Sequence, residues 1–229
     1  NYYHKPIFSI NDYWTLSPKT TITTSIYASI GHGGGSGAIG SYASTIVRDA
    51  DGHLLMDPQA TINAASTTGS KYGIRNSINN HEWYGALSTL NHKLSNTLDL
   101  TFGLDGRTYK GTHFREMRDL VGGSYYKDIF NTHATVDANA SDYIDITKVT
   151  PKENRVAYDN DGLVDYYGTF GQLEYSKNKL SAFISGAVNE TKYGRVDRYN
   201  ATHTEYNAQK VSIDGYNLKA GANYNFDEH

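Results

Sequence analysis

The segment 98–113, LDLTFGLDGRTYKGTH, places hydrogen-bonding and cationic side chains at alternate positions. Arg107, Tyr109, His113 and Arg115 all fall on odd positions. In a β-strand such positions share one face. Arginine suits the binding of anionic groups, and all four side chains can form hydrogen bonds. Two interpretations follow: these residues contact a ligand, or they form hydrogen bonds to neighbouring strands.

The sequence has no arrangement typical of a catalytic or cofactor site. Its serines lie in no G-x-S-x-G motif, and the glycine-rich run GHGGGSG, residues 31–37, lacks the Lys-Ser/Thr of a phosphate-binding loop. That run predicts a flexible loop. The nine histidines form no H-x-x-x-H pair, which argues against a metal site. We expect neither an enzyme nor a bound cofactor.

Two oxygen-rich segments resemble calcium loops in composition. Neither has the distant glutamate that completes an EF-hand, so both are predicted to be solvated loops. Their acidic and amide residues are Asp137, Asn139, Ser141 and Asp142 in DANASD, and Asp159 and Asp161 in DNDG. The net charge of −3 does not favour nucleic acid as a partner, and the absence of cysteine excludes disulfides and thiolate metal sites.

The same segment carries an apolar face opposite its polar one, formed by Leu98, Leu100, Phe102 and Leu104. This alternation predicts a strand with one apolar and one polar wall. It recurs in seven segments, and no helix is predicted. The predicted strands are 2–16, 21–31, 82–94, 98–113, 165–176, 180–193 and 216–226. Short turns alternate with the long segments 32–80, 117–163 and 196–211, which are predicted to be loops.

An apolar strand face can pack in a soluble sandwich or face lipid. Lipid is favoured because the apolar wall is built largely of small residues (Ala, Gly and Thr), whereas a packed core would need bulkier side chains. Long loops also lie at one end only, as in outer-membrane barrels. Tyrosine also recurs at a fixed spacing on this wall. Tyr167 and Tyr175 are eight residues apart, as are Tyr216 and Tyr224, while Tyr84 occupies the corresponding loop-side position of its strand. Eight residues of a tilted strand span roughly 20 Å, close to the distance between aromatic girdles.

The expected fold is therefore an all-β, antiparallel transmembrane β-barrel. Its short turns are expected to be periplasmic and its long loops extracellular. Seven strands cannot close such a barrel without leaving unpaired backbone groups in lipid, each at a cost of several kcal/mol. We expect residues 1–229 to be a fragment of the barrel domain, with further strands supplied by chain outside it.

Several phrases resemble the barrel of TonB-dependent receptors from the Bacteroidetes. These are NYYHKPIFSINDYWTLSPKTTITTSIYAS, HEWYGALSTLNHKLS, FGLDGRTYKGTHFREMRDLVGGSYY and DGLVDYYGTFGQLEYS. The likeness is strongest in the run from Asp105 to His113 and in Gly171–Tyr175. It implies a 22-stranded outer-membrane barrel of a Gram-negative bacterium, with a plug inside that is coupled to the TonB complex. Neither plug nor TonB box lies within these residues.

The resemblance implies active import of a scarce nutrient, such as an iron chelate, cobalamin, glycan or peptide. Arg107, Tyr109, His113 and Arg115 would then face the barrel interior and contact ligand or plug. The expected partners are outer-membrane lipid, the plug, the TonB complex and a surface lipoprotein cap. Two alternatives stay open: a barrel of the same family with a structural or secretion-associated role, and a soluble all-β surface or adhesion module.

Overall fold

A computed structural model of the chain describes residues 1–40, 47–128, 136–138, 151–199, 206–207 and 210–226. These residues are mostly antiparallel β-sheet, with one α-helix. The elements are β1 (Tyr2–His4), β2 (Ile7–Ser17), β3 (Thr20–Gly40), α1 (Met56–Ala64), β4 (Tyr72–Lys93), β5 (Leu98–Asp119), β6 (Tyr126–Asp128), β7 (Val136–Ala138), a 3₁₀ turn (Lys152–Asn154), β8 (Arg155–Lys177), β9 (Leu180–Asp197), β10 (Tyr206–Asn207) and β11 (Val211–Tyr224).

Nine of the strands form one sheet, in which each long strand pairs with the long strands that precede and follow it in the sequence. At one edge β1 and β2 both pair with β3, and at the other edge β10 and β11 both pair with β9. The two edges do not pair with each other, so the sheet is not closed into a barrel. The prediction of an all-β antiparallel fold with seven principal strands is confirmed for the described residues.

Short turns join the long strands at one end of the sheet, which we call the turn end; the opposite end is the loop end. Pro18 and Lys19 form the β2–β3 turn, in the gap between the predicted strands 2–16 and 21–31. At the β8–β9 turn Asn178 has a positive φ of 52°, a conformation that asparagine tolerates better than most residues. The predicted positions of these two short turns are therefore confirmed.

The strands continue further toward the loop end than predicted. The strand predicted at 21–31 is Thr20–Gly40, and the one predicted at 165–176 is Arg155–Lys177. The segments assigned to loops, 32–80, 117–163 and 196–211, therefore begin and end with strand residues. The glycine-rich run is not a loop, because its backbone pairs with β4 on one side and, at residues 32–34, with β1 on the other. The prediction of a flexible loop there is wrong.

The prediction of no helix is also wrong, because α1 lies between β3 and β4. Its sequence, MDPQATINA, has no apolar stripe to announce it. It is fixed instead by the buried Asn63 amide, whose Nδ2 donates to the carbonyl oxygens of Tyr72 (2.8 Å), Leu120 (3.0 Å) and Val121 (2.8 Å). Among the described residues, no helix has the length and apolar character needed to cross a membrane.

The main buried apolar cluster lies at the loop end, where the β6–β7 hairpin packs against the long strands. Its members are Ile39, Met117, Tyr126, Ala138 and Val156. Away from the loop end, no described residue covers the apolar face of the sheet. Ile10 on β2 is 74% exposed and Leu218 on β11 is 75% exposed. The apolar wall that the alternation predicts is present, but the described residues do not form a second layer over it.

Candidate functional site

Strand register aligns two rows of side chains across the polar face of the sheet, on β4, β5, β8 and β9. Directly paired residues share a face. One row is Trp83, Tyr109, Val164 and Tyr193. The adjacent row is Gly85, Arg107, Tyr166 and Thr191. All except Gly85 line one cleft of about 460 Å³, which we call the aromatic cleft.

Arg107 is the cation of the aromatic cleft. Its Cζ lies 5.2 Å from the centre of the Tyr166 ring, within cation–π range, and its side chain is exposed. Tyr109 leans toward the loop end, so that its ring is 6.1 Å from the ring of His81. Trp83 is packed edge-on against Tyr27, with ring centres 5.6 Å apart. The cleft therefore combines aromatic surface with one guanidinium group.

Aromatic rings on the polar face repeatedly cover glycines, either two residues along the same strand or on a neighbouring strand. A Cβ on Gly111 would lie 2.6 Å from the Tyr109 hydroxyl, and a Cβ on Gly168 would lie 2.6 Å from the Tyr166 hydroxyl. The same relation joins Tyr3 to Gly33, Tyr27 to Gly85, Phe170 to Gly103 and Phe183 to Gly221. These glycines provide the space in which the rings lie close to the sheet. This packing accounts for part of the excess of tyrosine and glycine in the chain.

The four predicted polar-face residues do not form one site. Arg107 and Tyr109 line the aromatic cleft, whereas His113 and Arg115 lie nearer the loop end and contact β4. His113 Nδ1 lies 2.7 Å from Asn79 Oδ1. Arg115 donates from Nε to Ser77 Oγ at 3.4 Å, and its Cζ lies 4.9 Å from the Tyr158 ring centre. His113 and Arg115 thus make inter-strand contacts.

The five predicted girdle tyrosines all lie on the apolar face. Tyr167, Tyr216 and Tyr224 are exposed, Tyr216 to 90%, and so is Tyr84. Tyr175 is half-buried. Register places them in two oblique rows. Tyr84 aligns across β5 with Asp165, two residues before Tyr167. Tyr167 aligns across β9 with residue 214, and Tyr216 lies two residues further toward the turn end. In the second row, Tyr175 aligns across β9 with residue 222, and Tyr224 lies two residues further toward the turn end.

Charged residues replace apolar ones on this face beyond the loop-side tyrosine row. On β5 the apolar positions from Leu98 to Gly106 are followed by Thr108 and Lys110. Lys210 donates to Asp165 at 2.7 Å, and that hydrogen bond raises the pKa of the Lys210 ammonium group above its usual value. The apolar face is therefore a band with a charged border.

The DNDG segment is not a solvated loop. Asp159 and Asp161 lie within β8, and Asp159 is only 1% exposed. Asp159 Oδ1 is 2.8 Å from Arg155 Nη1 and 3.2 Å from Arg198 Nη1, while Asp161 Oδ2 is 2.9 Å from Arg198 Nη2. Arginine guanidinium groups therefore pair with one oxygen of each carboxylate. In the other predicted segment, Asp137 lies in β7, but Asn139, Ser141 and Asp142 fall outside the described residues.

Among the residues that the structure describes, one exposed group could offer three metal ligands: Asp49, Asp51 and His53. The Asp49 carboxylate already stabilises a turn, because its Oδ1 accepts hydrogen bonds from the backbone amides of His53 (2.8 Å) and Asp51 (3.0 Å). The His53 amide is the main cause of a lowered Asp49 pKa. This group is explained by turn structure.

Five cleft residues escaped sequence reasoning: Trp83, Val164, Tyr166, Thr191 and Tyr193. Each has the strand parity of the polar face, but only the register shows that they lie beside Arg107 and Tyr109. Comparison with known proteins gives no further guide. No protein-family model matches the chain, and no curated protein matches it.

Proposed function

We propose that this chain forms part of the wall of an outer-membrane β-barrel of the TonB-dependent receptor type, which imports a scarce nutrient. One observation carries the proposal: an exposed apolar band bounded by two oblique rows of tyrosine on a long-stranded antiparallel sheet. The polar face would then line the barrel interior, and the aromatic cleft would lie within it.

The stagger of the tyrosine rows supports a barrel geometry. Each row steps two residues along the strand, about 6.6 Å, for every two strands crossed, about 9.6 Å. If the rows run in the membrane plane, the strands tilt by about 35° from the barrel axis. Transmembrane barrels have tilts of about 35–45°. The step from Tyr84 to Tyr167 has the same direction and size as the step from Tyr167 to Tyr216.

The height of the band supports a lipid environment. Eight residues separate the two tyrosines on β8 and on β11. At about 3.3 Å per residue and a tilt of about 35°, the rows are about 22 Å apart along the membrane normal. The apolar band of outer-membrane barrels is about 25 Å tall, with aromatic girdles at both borders. The charged residues beyond the loop-side row would then lie among lipid headgroups.

Exposure of the apolar face argues against the soluble-sandwich alternative. A sandwich buries its apolar face against a second sheet. Here Ile184 is 51% exposed and Leu218 is 75% exposed, and the described residues that are most buried lie at the loop end. Lipid would cover this band in a barrel.

In the proposed mechanism the barrel supplies shape and polar groups and carries out no bond chemistry. Ligand would be captured by the loop end and the polar face, and TonB would pull on a plug to open the path. The plug, the TonB complex and a surface lipoprotein cap are partners that the sequence resemblance implies. Closure of the open sheet would require strands beyond β2 and β11.

Fractionation of the native source tests the proposal. We expect an outer-membrane band whose mobility changes on heating and whose mass greatly exceeds the 25.4 kDa of these residues. A soluble protein of that mass would refute the membrane proposal. An outer-membrane barrel that lacks a plug would instead favour the structural or secretion-associated alternative.

A further inference from the structure

Arg107 is a cation without a carboxylate partner among the described residues. Within the described part of the chain, its guanidinium lies over the Tyr166 ring. The nearest carboxylate on the same face of β5, Asp105, does not line the aromatic cleft. The next arginine on the polar face of β9, Arg195, is already paired with Asp197 at 2.9 Å. An exposed guanidinium group in an aromatic setting is suited to an oxyanion, which it can bind through two parallel hydrogen bonds.

Further features mark the cleft as a binding site and not a bare stretch of sheet. Tyr109, Tyr166 and Tyr193 line the cleft together with Arg107, and the centre of the Tyr166 ring lies 5.2 Å from the guanidinium carbon. The Trp83 indole N–H is a buried donor with no hydrogen-bond partner in the described part of the chain. Buried donors in native proteins are usually satisfied, which makes this N–H an exception. The volume of about 460 Å³ lies within the range of small-molecule sites, about 300–1,000 Å³.

We propose that the aromatic cleft binds a small ligand that carries a ring and an oxyanion, such as a sugar acid or an aryl carboxylate. The oxyanion would bind the Arg107 guanidinium, and the ring would pack against Tyr166 and Tyr193. This inference rests on the proposed function in one respect only: if the protein is an importer, the imported nutrient is an anion. Binding itself depends on the cleft alone.

Arg115 provides a matched control, because it lies on the same face of the same strand, eight residues away. Its guanidinium already donates to Ser77 and stacks on Tyr158, and it does not line the cleft. Substitution of Arg115 with glutamine therefore removes the same charge from the same wall and leaves the cleft intact. If binding depends only on the general electrostatic potential of the wall, both substitutions will weaken it. If binding depends on the cleft, only the substitution of Arg107 will weaken it.

The experiment is calorimetric titration of the full-length protein, purified in detergent, with two probes that differ in one carboxylate: phenyl β-D-glucuronide and phenyl β-D-glucoside. We expect the glucuronide to bind at least ~10-fold more tightly, since a charge-assisted hydrogen bond is worth that much or more. Arg107→Gln should weaken glucuronide binding by ~10-fold and leave glucoside binding unchanged. Arg115→Gln should change neither. A circular-dichroism spectrum that matches that of the unsubstituted protein would show that each variant is folded.

Equal affinity for the two probes would overturn the proposal, as would an unchanged glucuronide affinity in Arg107→Gln. Absence of glucuronide binding would also overturn it, and would indicate that another segment of the full-length protein neutralises Arg107. The titration uses purified protein and needs neither membrane nor TonB. A failed fractionation test with successful glucuronide binding would therefore refute the location and keep the site.

Discussion

The fit of Tyr166 over Gly168 makes a quantitative prediction. A Cβ on Gly168 would lie 2.6 Å from the Tyr166 hydroxyl, 3.0 Å from Cζ and 3.2 Å from Cε1. Ordinary contacts begin near 3.4 Å. Gly168→Ala therefore forces the hydroxyl end of the ring to move by about 0.8 Å, toward the Arg107 side of the cleft. Overpacking of this kind costs about 1–3 kcal/mol, and the mobile end of a tyrosine places this case near the lower limit.

Gly171→Ala is the matched control. It lies on the same strand but on the apolar face, and its nearest neighbour would be the Thr101 carbonyl oxygen at 3.7 Å. Both substitutions remove the same chain entropy from the unfolded state, which alone would stabilise the protein by about 0.5–1 kcal/mol. The difference between the two variants therefore isolates the clash with the ring. We expect Gly168→Ala to be less stable than Gly171→Ala by about 1 kcal/mol.

Urea unfolding of the full-length protein measures this difference, and a double-mutant cycle assigns it. In a Tyr166→Leu background the ring is gone, so the penalty at Gly168 should disappear. Equal stabilities of the two single variants would refute the reasoning. So would a penalty that persists after the ring is removed, because the clash would then be with backbone.

Three further predictions test the lipid band, the buried ion pairs and α1. Ile184 lies near the middle of the band, and Ile184→Arg should destabilise the membrane-inserted protein by about 2–4 kcal/mol, as measured by refolding into vesicles. Ser185→Arg, on the polar face, should cost far less. Equal costs for the two variants would contradict a lipid-facing Ile184. Asp159→Asn removes the negative charge that pairs with the buried Arg155 and the partly buried Arg198, and it should cost about 2–4 kcal/mol in urea unfolding. Glu190→Gln, which breaks a solvent-exposed ion pair, should cost much less in the same measurement. Asn63→Asp places a carboxylate opposite the three carbonyl oxygens that accept from Asn63, so it should detach α1 from the sheet. The expected result is faster amide hydrogen exchange in α1. Unchanged exchange would show that other contacts hold the helix.

The sequence was sufficient to predict the strands and their faces wherever apolar residues mark the alternation. It was insufficient where the strand is polar on both faces. In residues 32–40 the period is hidden by glycines, and only pairing with β4 shows that the strand continues. Helix α1 escaped because a buried amide, not an apolar stripe, holds it in place.

The candidate site could be predicted only in part, for a related reason. The alternation of side chains along β5 assigns Arg107 and Tyr109 to the polar face, but alternation within one strand does not show which residues of other strands lie beside them. The cleft depends on register across four strands, and a shift of one residue would move Tyr166 to the other face. The long-range pairing of β5 with β8 skips the β6–β7 hairpin, so turn chemistry alone does not fix that register.

The distribution of glycine gives independent support to the assignment of the polar face as the barrel interior. Side chains on the inner wall of a closed barrel converge, whereas those on the outer wall diverge, so small residues with rings laid across them are advantageous inside. Glycines covered by aromatic rings occur on the polar face, as at Gly85 and Gly168, whereas an added Cβ at Gly106 or Gly186 on the apolar face would meet nothing closer than 3.7 Å. A soluble sheet with solvent on its polar face would gain little from such coverage. Two sets of tyrosines therefore differ in their physics: the five girdle tyrosines on the apolar face mark the borders of the band, and the polar-face tyrosines that lie over glycines fill the space that glycine leaves. Near Arg107, tyrosines of the polar face also line the aromatic cleft.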